Sequence, residues 1–458
     1  MTYDEAVRVL LSLGRELAAP RQARVQKFDL QNITRLSSRL GNPHRSSPCA
    51  HVAGTNGKGS TAALLESILR AAGFRTGLYT SPHLVRINER IRVDGEEISD
   101  ADFAATFTRV HGFIEELLAS GALAAHPTYF ECVTAMAFEH FARAHVEFAV
   151  YEVGMGGRLD STNIVEPVVA LITPIDFDHE DYLGHSLDLI AQEKAGIIKP
   201  GALVVSAADR PEAAAVIRER AAEQHARLVE ISRDYRIENI VADSCGSRAV
   251  FATANGDWRL EIELPLAGRY QLQNALAAAA AARLLAERGF RLDDAAIARG
   301  IAAARWPGRL EQVAENPAVF LDGTHNPAGA RELVAFWREQ FGGRRVHLVY
   351  GAMRDKAVDE IAGLLFPEAA TVILTAPLQP RAISPDVLAD MTRHLAPRLE
   401  VVAQPEDALE RAIELAAADE AVFATGSLYL AGDLLRYWRE RPAQAASALP
   451  AGAARRTS

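Results

Sequence analysis

Short apolar runs, each closed by glycine, proline or an acidic residue, alternate along most of the chain with stretches whose apolar residues recur at helical spacing. That alternation predicts α/β layers around a mainly parallel sheet. The first unit is PCAHVAG, followed by a glycine-rich turn and a helix from about Ser60 to Ala72, ended by Gly73. TGLYTSPHL predicts a second short strand closing at a Ser-Pro turn, and VEFAVYEVG and PVVALITPIDFD predict two more, each ending on acidic residues. A polar segment near Val241–Leu264, with NGD between apolar runs, predicts a β-hairpin insertion. A helix is predicted from about Gln273 to Arg288; its alanine run, Ala275–Ala282, is too short to span a bilayer and predicts a buried helix.

A second α/β series follows WPGRLE at Trp306–Glu311: AVFLDG, VHLVYGA, ATVILTAP, LEVVAQ and EAVFATGS, each leading through turn residues into a helical pattern. Proline and glycine interrupt the periodicity at Trp306–Arg309, which places the boundary there. The expected organisation is an N-terminal domain over 1–305, a C-terminal domain over 306–440, and a low-complexity, disordered tail over 441–458.

Composition narrows the function classes. The 458 residues are 49% hydrophobic and 24% charged, ordinary for a globular protein and too many for one core. A net charge of −10 with interspersed signs makes nucleic acid a poor partner. Cys49, Cys132 and Cys245 are widely separated and odd in number, which argues against disulfides and a zinc cluster. The N-terminus MTYDEAVRVL lacks the charge order of a signal peptide, and no apolar stretch is long enough for a membrane span, so the cytoplasm is the expected compartment.

HVAGTNGKGST, residues 51–61, carries the first candidate chemistry. A phosphate-binding loop needs backbone N–H groups free to point inward, a helix N-terminus behind them and a lysine for the outer phosphates. Gly54, Thr55, Asn56, Gly57, Lys58, Gly59 and Ser60 meet these needs between a predicted strand and a predicted helix. The match to GxxxxGK[ST] is imperfect: Val52 stands where the first glycine belongs, and Gly59 intrudes before Ser60. The alternative is a flexible strand-to-helix turn. Ligands of open α/β sheets sit beyond the carboxyl ends of the strands. Other strands deliver Ser81, Glu152 and the cluster Asp176, Asp178 and His179 to that edge. Magnesium accompanies nucleotide phosphates and is held by one or two carboxylates with hydroxyl and water, which suits Glu152. Ser81 reads equally as a turn residue, His179 as a hydrogen-bonded loop histidine, and TYFE at Thr128–Glu131 as a helix-capping box. These patterns support an ATP–magnesium enzyme without identifying its acceptor.

HVAGTNGKGST, TSPHLVRINERI, YEVGMGGRLDSTN, DYLGHSLDLIAQEKAGIIKPG and LDGTHNP, in this order from about Phe28 to Asp433, resemble the folylpolyglutamate synthase and dihydrofolate synthase family of the Mur-ligase superfamily. The resemblance implies an N-terminal P-loop ATPase domain and a C-terminal Rossmann-like domain that helps bind glutamate. It also implies ligation through an acyl phosphate. Carried over by position, Gly57 to Ser60 match the phosphate loop, with Lys58 at the outer phosphates. Ser81 and Glu152 match a first magnesium site and His179 a ligand of a second. Lys194 in QEKAGI matches a lysine carbamylated in the family; by itself it reads as a surface helix lysine beside Glu193. Asn274, Arg309 and Asp322 match ATP-contacting positions, and His325 a position near glutamate and phosphate. Thr128, Tyr129, Phe130 and Glu131, with Leu159, Asp160 and Ser161, match stretches lining the pterin site of members that accept dihydropteroate. LDGTHNP departs slightly, with Thr324 where the family more often has alanine.

The resemblance implies ATP, two Mg2+ sites with an N6-carboxylated Lys194, and dihydropteroate, reduced folates and L-glutamate as substrates of a monomer. A bifunctional ligase is favoured over a folylpolyglutamate synthase lacking the first activity by the TYFE and RLDS stretches. A cell-wall amino-acid ligase fits less well because only about fifty residues precede the phosphate loop. A non-enzymatic ATP-binding module would leave the metal-ligand candidates unexplained.

Overall fold

The computed structural model describes residues 1–13 and 29–441. The tail expected to be disordered lies outside these residues except for Arg441, whose guanidinium pairs with Glu410 at 2.9 Å.

The first sheet is built from β1 (Cys49–Ala53), β2 (Thr76–Tyr79), β3 (Ile91–Val93), β4 (Glu96–Glu97), β5 (Phe148–Glu152), β6 (Val169–Ile172), β7 (Leu203–Ser206) and β8 (Arg227–Glu230). Their spatial order is β4-β3-β2-β5-β1-β6-β7-β8. Neighbours from β2 to β8 run parallel, and β3 and β4 close one edge antiparallel. Every residue of β1, β5, β6 and β7 is buried, because helices cover both faces; hence the continuous apolar runs. Alternate side chains divide between two cores. Ala50, Val52 and Val150 meet Leu64, Leu65 and Ile68 on one face, while Cys49, Ala149 and Tyr151 meet Phe138 and Phe141 on the other.

The helix after β1 spans Lys58–Ala71, two residues earlier than the pattern suggested. Gly57 supplies the left-handed turn (φ 86°), so the helix starts at Lys58 and takes Gly59 into its first turn. The alanine-rich helix spans Tyr270–Glu287, and its residues 275–282 are all buried in the core that holds Leu64, Leu65 and Ile68. The polar insertion is larger than a hairpin. β9 (Tyr235–Ala242), β10 (Ser247–Thr253) and β11 (Arg259–Leu264) form an antiparallel meander, in which the expected hairpin is β10–β11, turning at Asn255–Gly256. β9 was missed because its face is half exposed and its polar residues do not strictly alternate.

The third sheet joins β12 (Glu311–Glu315), β13 (Ala318–Leu321), β14 (Val346–Tyr350), β15 (Thr371–Leu374), β16 (Leu399–Val401) and β17 (Ala421–Thr425) in the order β12-β13-β17-β14-β15-β16. All pairs are parallel except β12–β13, whose edge strand EQVAE is too polar to announce itself. The two larger sheets meet closely. Leu84, from the segment after β2, packs into the third sheet's core beside Leu430 and Leu434.

The helix Asp294–Ala303 crosses the loop helix at Gly300, where a Cβ would overlap the Ile68 backbone and where Ser67 Oγ donates to the Gly300 carbonyl at 2.7 Å. Gly300→Ala should therefore force the helices apart and lower unfolding free energy by about 1–3 kcal/mol, the usual cost of overpacking. Denaturant melts of both proteins measure it; an unchanged midpoint would refute the close crossing.

Candidate active site

The chain leaves β1 toward β2 on one side, and β6 lies on its other side, so the first sheet reverses its winding at β1. Ligands of such sheets sit beyond the carboxyl ends at the switch point, and that end of β1 runs into the glycine loop. Gly57 (φ 86°) lies so close to Asn274 that a Cβ would collide with its Oδ1, and Gly54 (φ 144°) is pressed likewise against Thr173. Thr55 Oγ1 donates to the Asp176 carbonyl at 2.9 Å and accepts from its N–H at 3.1 Å, pinning the loop beside the end of β6.

Lys58, half-buried, folds back over the loop, its Nζ donating to the carbonyls of Gly54 (3.1 Å) and Thr55 (3.0 Å). Lys194 sits at the end of the helix Leu187–Ala195 and is no surface lysine: it is buried, and its Nζ donates to the same Gly54 carbonyl at 2.7 Å. Burial and the charge of Lys58 push Lys194 down to about 7. Burial also lowers Lys58. Glu152, at the tip of β5, is pushed up to about 7 by burial, against the pull of Lys58; its Oε2 accepts from the Ser81 N–H at 3.0 Å.

A cavity of about 1590 Å³ opens over this edge. It is lined by Thr55, Asn56, Gly57, Lys58, Gly59 and Ser60 of the loop and by Ser81, Glu152 and His179 among the metal candidates. Gly54 and Lys194 lie behind the loop, outside the lining. Thr128, Tyr129, Phe130 and Glu131 line another wall, as do Leu159, Asp160 and Ser161. The capping box forms as well: Glu131 Oε2 accepts from Thr128 N–H at 2.7 Å, and Thr128 Oγ1 accepts from Glu131 N–H at 3.2 Å. Asp160 is no free carboxylate; it caps the turn Ser161–Ile164, accepting from Thr162 N–H and from Met155 N–H, both at 3.0 Å.

The opposite wall belongs to the third sheet, through Arg309, Asp322 and His325, with Asn274 between. Asp322, beyond β13, is buried and accepts from the backbone N–H groups of Leu310 (3.0 Å) and Thr324 (2.9 Å). Arg309 donates to the Gly308 carbonyl at 3.0 Å, and Asn274 donates to Gln271 Oε1 at 2.9 Å. His325 Nδ1 donates to the Gly323 carbonyl at 2.8 Å, which leaves Nε2 facing Asp178 Oδ2 at 3.6 Å.

Asp178 ties the walls together. Its carboxylate accepts from Lys356 Nζ at 2.8 Å and lies 3.8 Å from His179 Nε2. Burial pushes Asp178 up, but the bond from His325 and the charge of Lys356 hold it well below the usual carboxylate range. His179, in a left-handed conformation (φ 52°), is pushed down to about 4 by burial. Asn56 and Asn326 exchange side-chain hydrogen bonds of 3.2 and 2.8 Å across the same seam. Lys356 and Asn326 escaped the sequence reading. Lys356 follows the VHLVYGA strand in GAMRDK, where its position at a strand tip was the available signal.

Comparison with known proteins gives a consistent picture. The model of the Mur ligase middle domain matches residues 52–282, and that of the Mur ligase glutamate ligase domain matches 308–428. A dihydrofolate synthase/folylpolyglutamate synthase of Bacillus subtilis is 38% identical over 411 residues, covering 89% of this chain and 94% of that protein. A probable bifunctional folylpolyglutamate synthase/dihydropteroate synthase of Halobacterium salinarum is 38% identical over 444 residues, covering 96% of this chain. The chain spans about half of that relative's length, 52%. The structure of Mycobacterium tuberculosis folylpolyglutamate synthase complexed with ADP superposes with a TM-score of 0.86 at 33% identity, covering 96% of this chain and 99% of that one.

The lysine pair gives a pH signature. Because folding lowers Lys194 from 10.5 to about 7, the unfolded chain binds the extra proton between those values. This group therefore adds stability as pH rises from 7 toward 10.5 and costs stability in full below 7. Lys194→Met should melt above wild type at pH 7, and the gap should shrink toward pH 10 in metal-free, CO2-free buffer. Calorimetry showing a constant gap would contradict the assignment.

Proposed function

The chain belongs to the folylpolyglutamate synthase/dihydrofolate synthase family of Mur ligases, and from that premise we propose that it joins L-glutamate to dihydropteroate and then extends reduced folates with glutamate, using ATP. The observation that carries this reading is a single cavity bounded by the glycine loop, the Thr128–Glu131 wall and the strand tips of the third sheet. One space there serves a triphosphate, a flat acceptor and an amino acid.

The acceptor's carboxylate attacks the γ-phosphate of ATP, giving an acyl phosphate and ADP; the glutamate amine then displaces phosphate and forms the amide. Lys58 and the amides of Gly57 to Ser60 would compensate charge on the phosphoryl group, the main demand of such a transfer. Asn274, Arg309 and Asp322 are assigned to the nucleotide, and His325 to the end where glutamate and phosphate meet. Tyr129 and Phe130 offer aromatic faces to the pterin ring, beside Leu159, Asp160 and Ser161.

Ser81 and Glu152 would hold one Mg2+, and His179 with Lys194 a second. The residues fit: Glu152 is desolvated to the point that its charged form is disfavoured, and a divalent cation would restore it. Magnesium, when bound, neutralises phosphate charge. Lys194 would serve as its N6-carboxylate. Its lowered value leaves much of the amine neutral near pH 7, the form that adds CO2, and the product exchanges a cation for an anion. Dependence on ATP and free glutamate supports a cytoplasmic setting. The reading includes a monomer, as the family resemblance implies.

Incubation with ATP, Mg2+ and radiolabelled glutamate should give incorporation with both dihydropteroate and tetrahydrofolate. Lys58→Ala should lower both rates at least ~10³-fold, since uncompensated transition-state charge costs about 4 kcal/mol. Incorporation with tetrahydrofolate alone would restrict the chain to polyglutamation, and incorporation with neither would refute the reading.

A further inference from the structure

Outside the phosphate edge, His111, Glu115 and His126 bring one ligand atom each within 4.8 Å of one another. His111 and Glu115 lie one turn apart on the helix Asp100–Ala119, with Nε2 and Oε1 3.9 Å apart. His126 comes from the loop before Tyr129–Arg143, its ring centroid 6.3 Å from that of His111. Among the described residues this is the one such group.

The histidine tautomer is set for a metal. His126 Nδ1 lies 2.7 Å from the Pro127 carbonyl, which can only accept, so Nδ1 carries the proton and Nε2 keeps its lone pair. Carbonyl-oriented imidazoles of this kind are the usual second-shell arrangement of metal-ligating histidines. His111 packs edge-on against buried Phe107 at 5.6 Å between centroids, and its Nε2 faces Glu115. Tetrahedral ligands with bonds near 2.1 Å stand about 3.4 Å apart, so a small side-chain adjustment closes the set. Two imidazoles and one carboxylate select zinc or a neighbouring late first-row ion over magnesium, leaving one position for water.

We propose that His111, Glu115 and His126 form a transition-metal site, zinc being the fitting ion, that clips the loop 120–128 to the helix Asp100–Ala119. His126 also lines the large cavity, two residues before the Thr128 cap, so the clip fixes the approach to the Tyr129–Phe130 wall. The site does not depend on the proposed ligase activity.

Zn2+ is titrated into the full chain by calorimetry, with Mg2+ and a non-hydrolysable ATP analogue present. One zinc should bind with an affinity that falls ~100-fold or more in His111→Gln and in His126→Gln, at or beyond the range for losing a second-shell partner. His179→Ala should leave that zinc in place. Zinc should also slow amide exchange across 120–128, and anomalous scattering at the zinc edge should give a peak among the three side chains. Affinity unchanged in both glutamine variants, loss in His179→Ala instead, or an anomalous peak elsewhere would overturn the assignment.

Discussion

A buried lysine and a half-buried one share one carbonyl oxygen. Lys58 and Lys194 both donate to Gly54, and among the described residues neither has a carboxylate oxygen within 4 Å. Bringing two ammonium groups to one dipole in a desolvated place is costly, and both are driven toward their neutral forms. The carboxylate that acts most strongly on Lys58, Glu152, is itself desolvated and pushed up to about 7. The switch point of the sheet thus holds charges that polyanionic phosphate and a divalent cation would balance far better than the protein does. The left-handed turn at Gly57, the early start of the helix and the clamp from Thr55 to Asp176 all serve to hold that arrangement rigid.

The second constraint is the seam between the larger sheets. Asp178 faces Lys356 and His325 across it, and Asn56 and Asn326 exchange hydrogen bonds there. These contacts are polar and partly buried, so beside the apolar contact of Leu84 the sheets are joined by groups that a ligand could rearrange. A ligase that must exclude water from an acyl phosphate needs such a closable seam. The Thr128–Glu131 wall stands apart from it, at the start of the helix Tyr129–Arg143, whose capping box also shapes the cavity.

Much of this was legible in the chain. The buried parallel strands announce themselves as unbroken apolar runs, and the glycine loop carries its requirements within eleven residues. β12 was hidden because an edge strand tolerates the polarity of EQVAE, and β9 because its burial is broken. Lys194 shows the limit most clearly. It directly follows Glu193, which reaches Arg158 at 2.7 Å near the surface, yet Lys194 points inward to Gly54. Local pattern gives a surface lysine; only the packing of that helix under the loop buries it. Lys356 and Asn326 were likewise invisible as partners because what they face lies 178 and 270 residues away.

The central claim is that the Gly54–Ser60 loop and the strand tips beside it hold a triphosphate. A crystal soaked with Mg2+ and a non-hydrolysable ATP analogue tests it directly. Density for the outer phosphates against the amides of Gly57 to Ser60, with Lys58 turned from Gly54 toward them and a cation beside Ser81 and Glu152, is the predicted result. A well-ordered nucleotide bound elsewhere, with Lys58 still on the Gly54 carbonyl, would contradict it.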